Sequence, residues 1–267
     1  MIFFPNAVMA KGDRQMTWNP EQYLKFAAAR QRPALDLLAR LAGEPARIVD
    51  LGCGAGNITR LLADRWPHAQ ITGVDSDPAM LAKAAAAVSA IRWQRAEIAG
   101  WRAEQPPDLI FSNAALHWLS DHPCLLPELI GQLAAAGVLA VQMPSNFSAP
   151  SHLILLALAA EPRWRELLGG VGMGSVLSAV EYQQLLMPHC RHLELWETTY
   201  WQMLSGEDAV IEWMKGTTLV PYLTQLEPAT ADDFLAAYRE ALSAAYPPAA
   251  DGQTPFPFQR IFFVAQR

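Results

Sequence analysis

The chain has 267 residues and a formal net charge of −6 at pH 7, and because affinity for phosphate backbones comes from clustered Lys and Arg, this balance argues against a general nucleic-acid binder. The three cysteines, Cys53, Cys124 and Cys190, are widely spaced and lack metal-ligand spacing, so we predict neither a disulfide framework nor a metal site. No apolar run approaches the roughly 18 residues that cross a bilayer and no signal peptide is evident, so we expect a cytoplasmic protein without a membrane segment, of unknown oligomeric state.

Predicted helices and strands alternate along most of the chain. Asn19-Pro20 has the residues of a helix start, and the amphipathic pattern that follows predicts one or two helices broken near Pro33. Strands are predicted at Ala46–Leu51, Ile71–Val74, Ile91–Ala96, Asp108–Ser112 and Gly137–Met143, with helices at Asn57–Trp66, Pro78–Val88 and Cys124–Ala135. This alternation predicts a parallel sheet with right-handed crossovers. The aromatic and β-branched segments Leu193–Met203 and Arg260–Gln266 predict two further strands at an antiparallel edge.

The predicted architecture is therefore an α/β, Rossmann-like, seven-stranded sheet with helical cap insertions. Residues 18–267 form its one domain, after an N-terminal extension at 1–17. The insertions lie near 145–188 and 205–255, and in the second Thr230 with Asp233 resembles a helix cap. Insertions after the carboxyl ends of strands are where a lid over a site is built.

The strongest motif is Val49-Asp50-Leu51-Gly52-Cys53-Gly54-Ala55-Gly56-Asn57, a strand that enters a glycine loop before a helix. A tight structural turn is one explanation. A dinucleotide site is another, but the third glycine comes one residue early for GxGxxG. An adenosine cofactor without phosphates fits better, because Asp50 can accept a hydrogen bond from the ammonium of a methionine moiety. This favours S-adenosylmethionine over NAD.

Acidic residues follow the next two predicted strands. A carboxylate at Asp75 can accept from both ribose hydroxyls of an adenosine cofactor, although Ser76-Asp77-Pro78 also caps the next helix, so one of these acids could be structural. Glu97 can accept from the adenine amine, with Ile98 as an apolar wall. Met80 is either an adenine contact or core filler.

The fourth predicted strand ends at the switch of strand order, where open α/β sheets bind ligands. Asn113 and His117 offer polar contacts there, beside small residues that leave room for a sulfonium. His117 is a candidate general base, although a lone histidine among aromatic residues is more often structural.

The chain resembles the trans-aconitate 2-methyltransferase family over nearly its whole length from Met16. The resemblance lies in Trp18-Asn19-Pro20, Asp50-Leu51-Gly52-Cys53-Gly54, Gly73-Val74-Asp75-Ser76, Asn113-Ala114, Asp121-His122, Gly137-Val138-Leu139-Ala140-Val141-Gln142-Met143-Pro144 and the C-terminal Arg260 with Phe262. The Val-Gln-Met-Pro run and the N-terminal segment are far more specific than the glycine and acidic motifs.

The resemblance implies methyl transfer from S-adenosylmethionine to a carboxylate oxygen of a small organic acid such as trans-aconitate, which gives a monomethyl ester. Tyr23 and Arg32 would fold over the cofactor. The expected cofactor-binding residues are Arg32, Asp50, Gly52, Gly54, Asn57, Asp75, Ser76, Met80, Glu97, Ile98 and Asn113. The candidate catalytic residues are His117, Tyr23 and Arg260, the last as a cation that grips the acid.

Three departures from the family pattern surround the expected acceptor pocket. Ser145 replaces Asp, His117 replaces Gln and Val220 replaces Arg, so the identity of the acid is the open point. His152 is a further candidate cation. Another small-molecule acceptor, such as a malonyl thioester, and a protein that only senses the cofactor remain as alternatives.

Overall fold

The computed structural model describes residues 27–87 and 89–267 of the chain. The predicted helix start at Asn19 and the predicted site residue Tyr23 lie outside these residues. The described part contains two compact units: a sheet unit at residues 28–146, 174–200 and 258–267, and a helical unit that includes residues 147–173 and 201–257. No helix within the described ranges is both long enough and apolar enough to cross a membrane.

Strands and helices alternate as the sequence predicts. The strands are β1 (Arg47–Leu51), β2 (Gln70–Asp75), β3 (Arg92–Arg95), β4 (Leu109–Asn113), β5 (Val138–Pro144), β6 (His192–Ser205) and β7 (Gln253–Gln266). The α-helices are α1 (Ala27–Ala39), α2 (Asn57–Arg65), α3 (Pro78–Ala85), α4 (His122–Gln132), α5 (Pro150–Ala159), α6 (Arg165–Leu168), α7 (Ala179–Leu186), α8 (Ala209–Lys215), α9 (Val220–Leu223) and α10 (Pro228–Ala245). Short 3₁₀ turns lie at Leu116–Trp118 and Met187–His189.

Within the described residues the seven strands form one sheet, in the order β3-β2-β1-β4-β5-β7-β6. Strands β1 to β5 are parallel, and β7 is antiparallel to β5. The chain moves outward from β1 to β3 and then crosses to β4 on the other side of β1, which creates the switch point where ligands bind. The predicted Rossmann-like sheet with an antiparallel edge is therefore confirmed.

Alternate residues of each strand pack into different cores, as the two-residue period of a strand requires. Val49 and Leu51 belong to the core that α4 and α7 cover, whereas Ile48 belongs to the core that α1 and α2 cover. Asp50 lies two residues after Ile48 in β1, so its side chain projects from the same face of the sheet. A polar side chain on this face, near the carboxyl end of a strand, lies where open α/β sheets bind ligands.

Two sequence predictions about helix ends are wrong. Helix α1 continues through Pro33 rather than breaking there, because Leu37, Leu38 and Leu41 pack in the sheet core and outweigh one missing backbone hydrogen bond. Helix α10 begins at Pro228, so Thr230 lies inside it and is not its cap. Proline at the first helical position needs no hydrogen-bond partner, which favours the earlier start.

The helical unit is held by buried aromatic side chains. Trp164 packs edge-on against Phe234 with ring centroids 5.3 Å apart. The Tyr238 hydroxyl donates to the Ser151 carbonyl at 2.8 Å, and the Ser151 amide donates to the Tyr246 hydroxyl at 3.1 Å. These bonds join α5 to α10.

Candidate active site

The glycine loop after β1 is shaped by close packing and by left-handed backbone. Gly52 has φ 77°, and a Cβ there would lie 2.2 Å from the Cβ of Ala115, in the segment that follows β4. Gly54 has φ 54°, and no described atom lies within 4 Å of its Cβ position. Both conformations favour glycine. Gly52 therefore lets two loops meet, and among the described residues Gly54 borders open space.

Asp50 is the buried acid at the entrance of this loop. Its side chain is 2 % exposed and accepts a hydrogen bond from the Thr59 hydroxyl at 2.6 Å. Burial raises its pKa to about 7, against the lowering effect of the Thr59 hydrogen bond and with a smaller raising effect from the Asp75 charge. A positively charged ligand group beside Asp50 would stabilise the ionised form, so this position fits the ammonium of a methionine moiety.

Asp75 and Asp77 have different roles, which settles an alternative that the sequence left open. The Asp77 carboxylate caps α3 by accepting from the Ala79 amide at 2.7 Å. The Asp75 carboxylate instead accepts from the Gly54 amide at 2.8 Å and the Asp77 amide at 2.9 Å, one on each oxygen. Each oxygen keeps a further lone pair. Asp75 is thus tied to the glycine loop and retains acceptor capacity for ribose hydroxyls.

The other predicted cofactor residues lie around this loop. Ile98 reaches it, with its Cδ1 atom 3.6 Å from the Cβ position of Gly52. Met80 is half-buried in α3, whereas Glu97, Asn57 and Ser76 are exposed. Their contacts with a cofactor stay predictions. We call the set Asp50, Gly52, Gly54, Asp75 and Ile98 the cofactor cluster.

The backbone directly after β4 is strained. Ala114 has φ 53°, a left-handed conformation that alanine rarely adopts, and its amide donates to the Gln142 carbonyl at 2.9 Å. Such strain concentrates at functional sites. It turns the chain from Asn113 into the short 3₁₀ turn that contains His117.

His117 is buried in that turn. Burial, the positive charge of Arg260 and the neighbouring His122 lower its pKa to about 3, so the imidazole is neutral at pH 7. The Ser175 amide donates to its carbonyl at 2.8 Å. A neutral imidazole can orient an acceptor by hydrogen bonding, but so low a pKa makes it a poor proton acceptor.

His122 supports the same turn from within the core. Its Nε2 atom lies 2.8 Å from the Leu116 carbonyl, and its Nδ1 atom lies 2.7 Å from the Tyr182 hydroxyl. Because a carbonyl only accepts, Nε2 donates and Nδ1 accepts from the tyrosine. No sequence pattern indicated this pairing, which joins α4, α7 and the turn after β4.

Arg260 lies in β7 opposite Pro144 of β5. It is 7 % exposed, with its guanidinium 4.5 Å from the Phe258 ring centroid. Its charge lowers the pKa of His117 and opposes the rise in the pKa of Tyr200. The charge of Arg260 therefore acts on His117, although the two residues were predicted from distant parts of the sequence.

Arg32 lies apart from the cofactor cluster in its described contacts. The side chain is exposed, and its guanidinium lies 5.6 Å from the ring centroid of Tyr200 in β6. The Tyr200 hydroxyl donates to Asp36 at 2.6 Å. Because β6 is at the edge of the sheet farthest from β3 and next to β7, the contact of Arg32 with Tyr200 is nearer to β7 than to the glycine loop. The cofactor role of Arg32 stays a prediction.

His152 and Val220 belong to the helical unit. Burial lowers the pKa of His152 to about 4, and its ring lies near the hydroxyls of Ser151 and Thr218, at 3.2 and 3.5 Å. The neutral His152 is thus not the cation that the sequence suggested. Val220 is half-buried at the first residue of α9.

Sequence reasoning missed one residue of the sheet unit. Gln142 lies near the end of β5, is 1 % exposed, and neither of its amide atoms has a hydrogen-bond partner among the described residues. Its register partner on β4 is Asn113, whose Oδ1 atom is also buried without a described partner. The signal in the sequence was a glutamine inside the otherwise apolar run of a buried strand.

The fold and the cofactor cluster define a Rossmann-like, S-adenosylmethionine-dependent methyltransferase. The family model described as "Methyltransferase domain" matches residues 48–137. Among solved structures, the chain is similar to the YcgJ protein of Bacillus subtilis, with TM-score 0.59, 16% identity, 88% of this chain and 97% of that chain covered. It is also similar to the plantazolicin methyltransferase BamL solved with SAH, with TM-score 0.52, 12% identity and coverage of 92% and 88%. Both likenesses concern the fold.

A curated relative gives the family. The trans-aconitate 2-methyltransferase of Azoarcus sp. (strain BH72) is 47% identical over 252 residues, which cover 94% of this chain and 99% of the relative. The chain belongs to the trans-aconitate 2-methyltransferase family.

Proposed function

We propose that the protein transfers a methyl group from S-adenosylmethionine to a carboxylate oxygen of trans-aconitate and releases a monomethyl ester. One observation carries the proposal. Arg260 is a buried cation at the carboxyl end of the sheet, and it lies on the same sheet face as Asp50. Strand register establishes the shared face: Asp50 pairs with Phe111, Phe111 pairs with Ala140, and Pro144 pairs with Arg260. Ala140 and Pro144 are four residues apart on β5 and so lie on one face.

The cofactor cluster fits S-adenosylmethionine. Asp50 would hold the ammonium, Asp75 the ribose hydroxyls, and Ile98 an apolar face of the adenine. When bound, this cofactor supplies a methyl group on a positively charged sulfur, and transfer to an ionised carboxylate neutralises both charges without moving a proton.

The residues on the acceptor side therefore need to position the acid and exclude water. A carboxylate has a pKa of about 4 and is ionised at pH 7, so no general base is required. This agrees with a neutral His117. A buried carboxylate needs a cationic partner, and Arg260 can supply two parallel hydrogen bonds. Orientation within a site closed to water then supports the reaction.

Mass spectrometry of the products of purified enzyme, S-adenosylmethionine and single acids tests the proposal. We expect one added methyl on trans-aconitate and little on citrate, whose carboxylates are arranged differently. Arg260→Gln, which keeps hydrogen bonding but removes the charge, should lower kcat/KM at least about tenfold. Exposed Arg191 provides the matched control, Arg191→Gln, which should keep full activity. Transfer to a thioester but to no free acid would contradict the proposal.

A further inference from the structure

Gln142 is a buried amide in an apolar setting. Two of its neighbours on the same sheet face are apolar: Ala140, before it on β5, and Phe262, opposite it on β7. Both are fully buried. Neither can hydrogen-bond to the amide through its side chain, so these two neighbours give no reason for a glutamine here.

Gln142 lies between two other polar residues in the sheet register. Asn113 is its partner on β4, and Arg260 is its diagonal neighbour on β7, two residues from the opposite position. Register partners project from the same face, and diagonal neighbours lie within reach of long side chains. We call Asn113, Gln142 and Arg260 the polar row.

A buried polar atom without a partner is destabilising, and folded proteins contain few. Three amide atoms of the polar row, Gln142 Nε2, Gln142 Oε1 and Asn113 Oδ1, have no hydrogen-bond partner among the described residues. Ser145 Oγ and Asn146 Nδ2, just after β5, share this property. Among these atoms, Gln142 Nε2, Ser145 Oγ and Asn146 Nδ2 can donate, and a carboxylate ligand would satisfy such donors beside a buried cation. The amide oxygens Gln142 Oε1 and Asn113 Oδ1 only accept and would need a donor from elsewhere.

We propose that Gln142 determines acceptor specificity by donating from Nε2 to a carboxylate of the acid that Arg260 binds. The inference rests on the proposed function and adds a residue to it. Arg260 supplies the charge, whereas the amide fixes the direction in which the carboxylate points. Gln142 thereby selects which oxygen faces the methyl group.

Two substitutions at Gln142 test this role. Gln142→Glu keeps the shape and places a like charge beside the acid, and Gln142→Met keeps the length and removes the amide. We expect KM for trans-aconitate to rise about tenfold or more in Gln142→Met, and further in Gln142→Glu. Affinity for S-adenosylhomocysteine, measured by calorimetry, should stay within about twofold. Gln184→Met, at an exposed residue of α7, is the matched control and should change neither quantity.

Binding of trans-aconitate to the S-adenosylhomocysteine complex separates this inference from the proposed function. If wild-type protein binds trans-aconitate without methylating it, the proposed function fails. Weaker acid binding by Gln142→Glu would even then support the role of Gln142 in holding the acid. Unchanged acid binding in both variants overturns the inference. A loss of S-adenosylhomocysteine affinity as large as the loss of acid affinity also overturns it, because Gln142 would then belong to the cofactor site. Absence of acid binding by the wild-type protein overturns it as well. Melting temperatures establish that each variant is folded.

Discussion

The cofactor cluster and the polar row belong to one sheet but are built differently. In the cofactor cluster, Asp50 and Asp75 accept hydrogen bonds from Thr59 and Gly54, which are neighbours along one strand-helix-strand unit. The polar row instead joins β4, β5 and β7, and strand register alone brings its members together. A local motif therefore specifies the cofactor side, whereas the acceptor side exists only once the whole sheet has formed.

The largest effect of a substitution is expected at the glycine loop, on the cofactor side. Gly52→Ala should lower the free energy of unfolding by about 2–5 kcal/mol, because left-handed strain adds to the overlap with Ala115. Gly54→Ala, with strain alone, should cost about 1–2 kcal/mol. Urea denaturation of both variants measures the difference. Equal losses would mean that the loop yields to accommodate a side chain at Gly52.

The next effect separates two neighbouring carboxylates. Asp75→Ala should weaken S-adenosylhomocysteine binding by about 1.5–3 kcal/mol, since two acceptor positions for the ribose are lost. Asp77→Ala should leave that affinity nearly unchanged and cost about 0.5–2 kcal/mol of folding stability through the lost helix cap. Calorimetry and urea denaturation together assign the roles, and a reversed pattern would exchange them.

The pH dependence of cofactor binding depends on Asp50. Its pKa is raised from 3.8 to about 7 in the folded protein without ligand, so its contribution to stability is present at low pH and is lost as pH rises through about 7. An ammonium beside Asp50 favours the ionised form. We therefore expect S-adenosylhomocysteine affinity to rise by up to about tenfold per unit as pH rises toward 7, with proton release.

Calorimetry in buffers of different ionisation enthalpy measures that proton release. Asp50→Asn should abolish it and flatten the pH profile. A steep profile retained in Asp50→Asn would place the titrating group elsewhere.

The smallest effect concerns the strained turn after β4. Ala114 and Ala136 share a left-handed backbone, with φ 53° and 61°. Replacing either with glycine should stabilise the protein by up to about 1 kcal/mol, since relief of strain slightly exceeds the entropic cost. Only Ala114→Gly should lower kcat, because it loosens the segment between Asn113 and His117. If Ala136→Gly lowers kcat equally, the strain at Ala114 has no special role.

The sequence predicted the strands of the sheet to within two residues for β1 to β5, because buried β-branched runs and glycine punctuation are local signals. It failed at Pro33, where packing of α1 on the sheet outweighed a proline, and at Thr230, where a better helix start lay just upstream. Both failures concern competition between local preference and surrounding structure.

The site residues show the same contrast between local signals and surrounding structure. Asp50 was predicted from its place at the entrance of the glycine loop and Asp75 from its register after that loop, and their cofactor roles stay predictions. Only hydrogen-bond geometry showed that Asp77 is the cap. Gln142 was noticed as part of a family motif and given no role, because its meaning depends on the β5 to β7 pairing. The roles of Tyr23, His117 and the other site residues stay predictions.

The position of β7 in the sheet also orders the events of biosynthesis. Strands β1 to β5 emerge from the ribosome well before β7, which must enter between β5 and the earlier-made β6. A nascent chain can thus assemble the glycine loop while one edge of β5 is still unpaired and Arg260 is not yet synthesised. We expect competence for the nucleoside ligand to precede competence for the acid, and the open β5 edge to be the stage at which newly made chains are most exposed to aggregation.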